Sequence, residues 1–149
     1  MRAYRIASRR FRAFSGEGAR ARGGRWNSPG VAAIYTADSF ALAMLERLVY
    51  VLVENLPPED HWVTVSIPDD AVETIEAPDL AGWDSLPPTA SRHFGDRWLV
   101  EGRSLALSVP SVVTRIDRNL VLNPAHPRFG EVAVGTERPV AWDRRLFGR

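Results

Sequence analysis

The sequence predicts an α+β fold with mixed or antiparallel sheets, in one domain that spans residues 1–149. Strand and helix candidates interleave irregularly along the chain and show no regular βαβ period. The composition is 45% hydrophobic and 25% charged, which is typical of a globular protein. The length of 149 residues suits one hydrophobic core. The absence of cysteine excludes a disulfide framework and a thiolate metal site.

Short apolar or alternating segments between glycine- and proline-rich stretches predict the strands. The segment at 31–36 is a continuous apolar run, whereas the one at 62–67 alternates. Loops are expected at 14–30, where glycines cluster, and at 77–90, where prolines and glycines recur. The predicted strands are 3–6, 31–36, 62–67, 72–75, 105–109, 120–122 and 132–134.

Two helices are predicted between these strands. Asp38 or Ser39 can cap the first, which is expected to run to about Glu54 before two prolines end it. Its apolar residues recur every three or four positions and surround it almost completely, so we expect a buried helix. The second helix is predicted over 91–101, with Gly102 as its end.

The 19 basic residues are all arginine, and they are unevenly distributed. Eight fall within the first 25 residues, against a single acid, Glu17. This pattern fits a phosphate-binding surface, a solvated face or an Arg-rich transit peptide. We expect a cytoplasmic protein without membrane contact, because no apolar run reaches bilayer length and the start lacks the apolar core of a secretory signal.

The motif Gly23-Gly24-Arg25-Trp26-Asn27 combines a flexible backbone with a cation and an aromatic ring. Such a set suits a phosphorylated ligand that contains rings, because arginine matches phosphate oxygens and glycine allows a close backbone approach. The alternative is a glycine turn into a strand, with Trp26 in the core and Arg25 in solvent.

Three further residues are candidates for a site. Glu46 lies in the apolar helix, where a carboxylate is costly unless it is paired or lines a cavity. Tyr35 ends an apolar strand and Ser111 follows one, although a core tyrosine and a turn serine are the simpler interpretations. The histidines His61 and His93 share no metal-ligand spacing with His126, so no metal site is predicted.

Taken together, these residues resemble the RES domain family, which is named for an Arg, a Glu and a Ser. The resemblance extends over nearly the whole chain, with residues 68–90 matching weakly. The segments that carry it are Tyr4-Arg5, Gly16–Ala19, Gly23–Asn27, Tyr35, Ser39–Glu46, Gly95–Trp98, Val109–Ser111, Asn119 and Leu122–Pro127.

The resemblance implies a fold like that of the ADP-ribosyltransferase toxins, with NAD bound in a cleft as substrate and no true cofactor. It implies a toxin of a type II toxin–antitoxin pair, whose helix-turn-helix (Xre-type) antitoxin occludes the cleft. The family's Arg, Tyr, Glu and Ser correspond to Arg25, Tyr35, Glu46 and Ser111.

The expected reaction is cleavage of the nicotinamide–ribose bond of NAD by a glycohydrolase or phosphorylase. Glu46 is expected to stabilise the positive charge on ribose, and Ser111 to hold the reactive conformer. Tyr35 is expected to stack on nicotinamide. Arg25 is expected to bind the pyrophosphate, and we expect Trp26 and Asn27 to complete the NAD site.

Two alternatives remain open from the sequence. The chain could transfer ADP-ribose to a host protein, because water, phosphate and a side chain attack the same carbon. It could instead be a non-enzymatic or RNA-directed protein that uses its Arg-rich start. Direct nucleic-acid binding is not expected, because aromatic and basic residues do not interleave along one strand.

Overall fold

A mixed β-sheet with helices packed on it forms the framework of the computed structural model, which describes residues 1–51 and 59–148. The strands are β1 (Arg2–Ser8), β2 (Ile34–Ala37), β3 (Asp60–Ser66), β4 (Val72–Thr74), β5 (Ala106–Pro110), β6 (Arg118–Leu122), β7 (Ala133–Val134) and β8 (Arg138–Pro139). The α-helices are α1 (Glu17–Arg22), α2 (Phe40–Val51) and α3 (Thr89–Glu101).

The strands join one sheet in the order β4-β5-β6-β2-β1-β3-β7, and β8 pairs with β3 beside β7. The pairing of β4 with β5 is parallel, and the other strand pairs in the described residues are antiparallel. The predicted α+β class with mixed pairing is therefore confirmed.

The register of β2 and β6 defines the face that carries the helices. Tyr35 lies opposite Val121 and Ala37 opposite Asn119, and residues directly opposite one another share a face. A core cluster that includes Tyr35, Val121 and Trp98 of α3 covers part of this face. A second cluster joins Ala37 to Leu42 of α2 on the same face. The two longer helices therefore lie on one side of the sheet.

Helix α2 begins as the sequence predicts, because the Ser39 hydroxyl accepts a hydrogen bond from Leu42 N at 3.1 Å. It is not buried all round, however. The residues Leu42, Ala43, Leu48 and Val51 are buried, whereas Leu45, Val49 and Tyr50 are exposed. The predicted end near Glu54 falls outside the described residues.

Helix α3 ends at Gly102, which adopts a left-handed conformation with φ 61° as the sequence predicts. Within it, Gly95 lies against the Gly23–Asn27 loop. A Cβ atom on Gly95 would come 1.8 Å from the carbonyl oxygen of Trp26. The absence of a side chain at 95 is therefore what lets this loop pack on the helix.

The sequence prediction missed one α-helix and one strand. Helix α1 lies inside the predicted loop at 14–30, because its two turns are too short to show an apolar period. Strand β8 has only two residues and shows no alternation. None of the helices in the described residues is long and apolar enough to cross a membrane.

Candidate functional site

Two polar side chains from the sheet converge on one carboxylate oxygen of helix α2. Ser111 Oγ donates to Glu46 Oε1 at 2.8 Å, and Asn119 Nδ2 donates to the same oxygen at 2.6 Å. Glu46 lies 65 residues before Ser111 in the sequence, and it is partly buried. The carboxylate therefore lies in a fixed position on the helical face of the sheet.

The hydroxyl of Ser111 is fully engaged. It accepts hydrogen bonds from Val113 N at 3.1 Å and from Thr114 N at 3.2 Å, while its own hydrogen is donated to Glu46. A hydroxyl offers one donor and two acceptor positions, so this geometry uses all three. Ser111 thereby links the turn after β5 to the carboxylate.

The β5–β6 hairpin brings Ser111 and Asn119 together. Val109 lies opposite Asn119 in the register, and Ser111 N donates to Asp117 O at 2.9 Å just beyond the strand ends. Because β6 is paired on both sides, with β5 and with β2, the Asn119 backbone is held by two ladders. The site thus stands on a central strand.

Tyr35 organises the Gly23–Asn27 loop through its hydroxyl. Tyr35 Oη accepts from Trp26 N at 2.9 Å and donates to Asn27 Oδ1 at 2.6 Å. Burial raises the pKa of the phenol above its ordinary value, more than the hydrogen bond from Trp26 N lowers it. The ring also lies against Gly24, where a Cβ atom would come 2.5 Å from Oη.

Trp26 and Asn27 have buried side chains. Trp26 is 2% exposed and packs edge-on against Phe94. The Asn27 amide donates to Ala19 O at 2.8 Å and Val31 O at 2.7 Å. Both residues support the loop in this structure, and their direct contact with NAD stays a prediction.

Arg25 extends from this loop to the segment at 83–85. Its Nη1 donates to Trp83 O at 3.1 Å and to Ser85 O at 2.9 Å. These carbonyls fix one nitrogen of the guanidinium, while Nε and Nη2 donate to none of the described residues. The other edge of the guanidinium fork can therefore bind an anion.

Arg115 connects the 83–85 segment with the Ser111 turn. Its guanidinium pairs with Asp84 and lies 5.6 Å from the centre of the Trp83 ring. The hydrogen bond from Arg115 holds the pKa of Asp84 below its usual range. Arg115 N also donates to Ser111 O at 3.0 Å, so one network joins the surroundings of Arg25 to those of Glu46.

The structure also gives Arg5 a role that the sequence analysis did not assign. This buried guanidinium donates to the carbonyl oxygens of Ala13 at 2.6 Å, Tyr35 at 2.9 Å and Ser15 at 3.1 Å. Burial lowers its pKa to about 10. Arg5 thus holds the loop after β1 against the strand that carries Tyr35.

The predicted site residues fall into two groups. Glu46 and Ser111 are in direct contact. Arg25 lies in the Gly23–Asn27 loop, and the hydroxyl of Tyr35 is hydrogen-bonded to that loop. Tyr35 lies diagonally across the β2–β6 pair from Asn119 on the same face of the sheet. Residues in this diagonal relation are typically about 7–8 Å apart. The sequence motif included Asn119 but did not indicate its contact with Glu46, and the 83–85 segment lay where the resemblance is weak.

The histidines form no metal-binding group with acidic residues in the part of the chain that the structure describes. His61 is buried on β3 and contacts Glu137. The candidate site therefore combines the Glu46 carboxylate and its two neutral donors with Arg25 and Tyr35.

The family model described as "RES domain" matches residues 2–143. The chain belongs to the RES domain family. "Toxin Res" of Yersinia enterocolitica is 38% identical over 152 residues and covers 98% of this chain and 99% of the relative. "Prs ADP-ribosylating toxin" of Sphingobium sp. is 37% identical over 138 residues, with 89% of this chain and 86% of the relative covered. The chain is accordingly classed as a RES-type toxin.

A solved structure has the same fold as this RES domain. It is a chain of the "M.tuberculosis MbcT-MbcA toxin-antitoxin complex", which superimposes with a TM-score of 0.80 at 23% identity. The match covers 98% of this chain and 86% of that one. At this identity the likeness supports the fold alone.

Proposed function

We propose that this RES domain cleaves the bond between nicotinamide and ribose in NAD, as the toxin of a toxin–antitoxin pair. The observation that carries the proposal is the Glu46 carboxylate, which accepts two hydrogen bonds from neutral donors. Among the described residues it forms no ion pair, whereas the neighbouring Arg47 binds Asp60 at 2.9 Å. Its negative charge is therefore available to a cationic transition state.

NAD is suited to such a site because its leaving group is already cationic. When the bond from ribose C1 to the pyridinium nitrogen breaks, its electron pair goes to nitrogen and neutral nicotinamide departs. Departure needs no general acid, and positive charge develops on the ribose. A preoriented carboxylate stabilises that charge without reorganising. Glu46 supplies this carboxylate in the proposed mechanism.

The remaining residues bind and orient the substrate in this proposal. Arg25 binds the pyrophosphate with the edge of its guanidinium that the carbonyls of Trp83 and Ser85 leave free. Tyr35 forms the wall on which nicotinamide stacks, on the same sheet face as Asn119. Ser111 acts through Glu46, because its hydrogen is already donated to that carboxylate.

Transfer of ADP-ribose to a protein is the second candidate. The Sphingobium relative is named an ADP-ribosylating toxin, and that reaction begins with the same bond cleavage. The two activities differ in whether water, phosphate or a protein side chain attacks ribose C1. A fold shared with ADP-ribosyltransferase toxins is part of this proposal.

The proposed partner is a helix-turn-helix antitoxin that covers the site. Leu45, Val49 and Tyr50 are exposed on α2, on the turns beside Glu46. Exposed apolar side chains grouped in this way are typical of interaction surfaces. Substituting Leu45 and Val49 with glutamate is expected to weaken the copurification of an antitoxin encoded beside the toxin gene.

Product analysis tests the proposed activity. Purified protein is incubated with NAD, with and without phosphate, and the products are identified by mass spectrometry. Free nicotinamide with ADP-ribose indicates hydrolysis, and nicotinamide with phosphorylated ADP-ribose indicates phosphorolysis. A bacterial lysate added to the reaction detects a labelled acceptor protein. Intact NAD under all of these conditions would contradict the proposal.

A further inference from the structure

We propose that Asn119 is a positioning residue that fixes which oxygen of Glu46 meets the substrate. The proposal rests on the function proposed above and adds a residue to its site. Asn119 Nδ2 donates to Glu46 Oε1 at 2.6 Å, the shorter of the two hydrogen bonds at that oxygen. It does not contact the reacting atoms and acts through the carboxylate.

The chemistry of the pair determines the orientation of the amide. An ionised carboxylate can only accept hydrogen bonds, so the amide must present its NH₂ group to Glu46. Ser111 donates to the same oxygen. Both donors therefore act on Oε1, and Oε2 accepts from none of the residues in 1–51 and 59–148. Oε2 is the oxygen left to face the ribose.

The backbone around Asn119 is rigid enough for this role. Its strand β6 lies between β5 and β2, where Asn119 is opposite Val109 on one side and Ala37 on the other. A slip of one residue would move its side chain to the other face of the sheet. The amide is therefore held at a fixed height above the sheet, whereas a glutamate side chain on a helix has several accessible rotamers.

A neutral donor is the group that this position requires. A lysine or arginine here would form an ion pair with Glu46 and reduce its field at the ribose. An aspartate would place a second carboxylate within hydrogen-bond distance of the first. Asparagine holds the carboxylate in place and leaves its full charge available to the developing cation.

The test compares N119D and N119A with the wild-type protein. The aspartate of N119D keeps the size and shape of the native side chain but replaces the donor with a second carboxylate beside Glu46. N119A removes the donor without adding charge, so a loss of turnover shared by both variants reports the missing hydrogen bond. We expect kcat for nicotinamide release to fall about 10- to 100-fold in both variants, the size typical of a hydrogen bond to a charged group. We expect KM for NAD to stay within about twofold.

The control is Thr36→Val on the neighbouring strand β2. Thr36 Oγ1 donates to Leu120 O at 2.9 Å, which is a buried side-chain hydrogen bond that does not contact Glu46. T36V is expected to lower thermal stability and to leave kcat unchanged. Far-UV circular dichroism is recorded for every variant, and N119S, whose hydroxyl is too short to reach Oε1, replaces a variant that does not fold.

The outcomes separate this proposal from the one on which it rests. If the wild type releases nicotinamide and N119D retains wild-type kcat, or changes only KM, Asn119 does not position the carboxylate. If T36V loses as much kcat as N119D, the effect reflects general loosening of the sheet and the proposal is overturned. A wild-type protein that leaves NAD intact overturns both proposals.

Discussion

Ser111 donates its hydroxyl hydrogen to Glu46 Oε1 at 2.8 Å, across 65 residues of sequence. The same hydroxyl accepts two backbone N–H groups of the turn that follows it. The turn after β5 and the carboxylate of α2 therefore depend on one side chain. This relationship makes Ser111 a support of the carboxylate, in addition to its position in the family motif.

Replacing Ser111 with alanine is expected to lower the turnover of NAD. Glu46 loses one of its two donors, and we expect kcat for NAD cleavage to fall at least about tenfold. Thr114→Ala is the matched control. Thr114 Oγ1 accepts from Asp117 N at 3.0 Å in the same turn and does not contact Glu46. Steady-state kinetics of both variants check this prediction, and equal losses in the two would contradict it.

Replacing Arg25 with methionine is expected to weaken NAD binding. Methionine keeps much of the side-chain length but removes the charge and all of the N–H donors. We expect KM for NAD to rise roughly tenfold or more, as for the loss of a hydrogen bond to a charged group. Arg22→Met is the control, because Arg22 is an exposed arginine at the end of α1. If both variants raise KM equally, Arg25 provides only general positive charge.

Tyr35→Phe is expected to destabilise the protein by about 1–3 kcal/mol, because Trp26 N and Asn27 Oδ1 lose their partner. It should also change the response to alkali. Burial raises the pKa of this phenol above its ordinary value of 10, so the folded state favours the neutral form. The resulting stabilisation is complete below pH 10 and is lost as the pH rises further.

Urea unfolding between pH 8 and 11 measures both effects. The free energy of unfolding of the wild type should fall more steeply above pH 10 than that of Y35F. Tyr50→Phe is the control, because Tyr50 is 73% exposed. A wild-type curve parallel to that of Y35F would show that the Tyr35 phenol ionises equally in both states.

Gly95→Ala is expected to destabilise the fold although alanine favours a helix. Helix propensity alone would stabilise α3 by about 1 kcal/mol. The added Cβ would, however, meet Trp26 O at 1.8 Å, and such overpacking typically costs about 1–3 kcal/mol or more. Gly18→Ala in α1 is the control, since a Cβ atom there would meet no packing neighbour among the described residues within 4 Å. In thermal unfolding, we expect the midpoint temperature of G95A to be lower than that of the wild type and the midpoint of G18A to be unchanged or higher.

The sequence indicated candidate residues for the site but not the contacts that those residues make. Glu46 could be recognised because a carboxylate within an apolar helix requires a partner. Its partners Ser111 and Asn119 could not be assigned from spacing, because the β5–β6 hairpin determines their positions. Likewise, nothing in the glycine motif indicated that Arg25 binds the carbonyls of Trp83 and Ser85.

The same limit explains why the prediction that helix α2 is buried on all sides is wrong. Its apolar residues surround the helix, and the sequence therefore predicts complete burial. The sheet covers only the side that carries Leu42, Ala43 and Leu48, and it leaves Leu45 and Val49 exposed beside the site. Hydrophobic periodicity shows which positions are apolar, but it does not distinguish a face packed on the core from one that binds a partner.

In the proposed mechanism, the charge of Glu46 drives cleavage of the nicotinamide–ribose bond. The most direct measurement is nicotinamide release from NAD by the wild type and by Glu46→Gln, together with NAD affinity by calorimetry of the glutamine variant. Glutamine keeps the size of the side chain and removes its charge. We predict at least about a hundredfold loss of turnover, equivalent to ~3 kcal/mol of barrier, with NAD still bound. Near-wild-type nicotinamide release by E46Q would contradict the account.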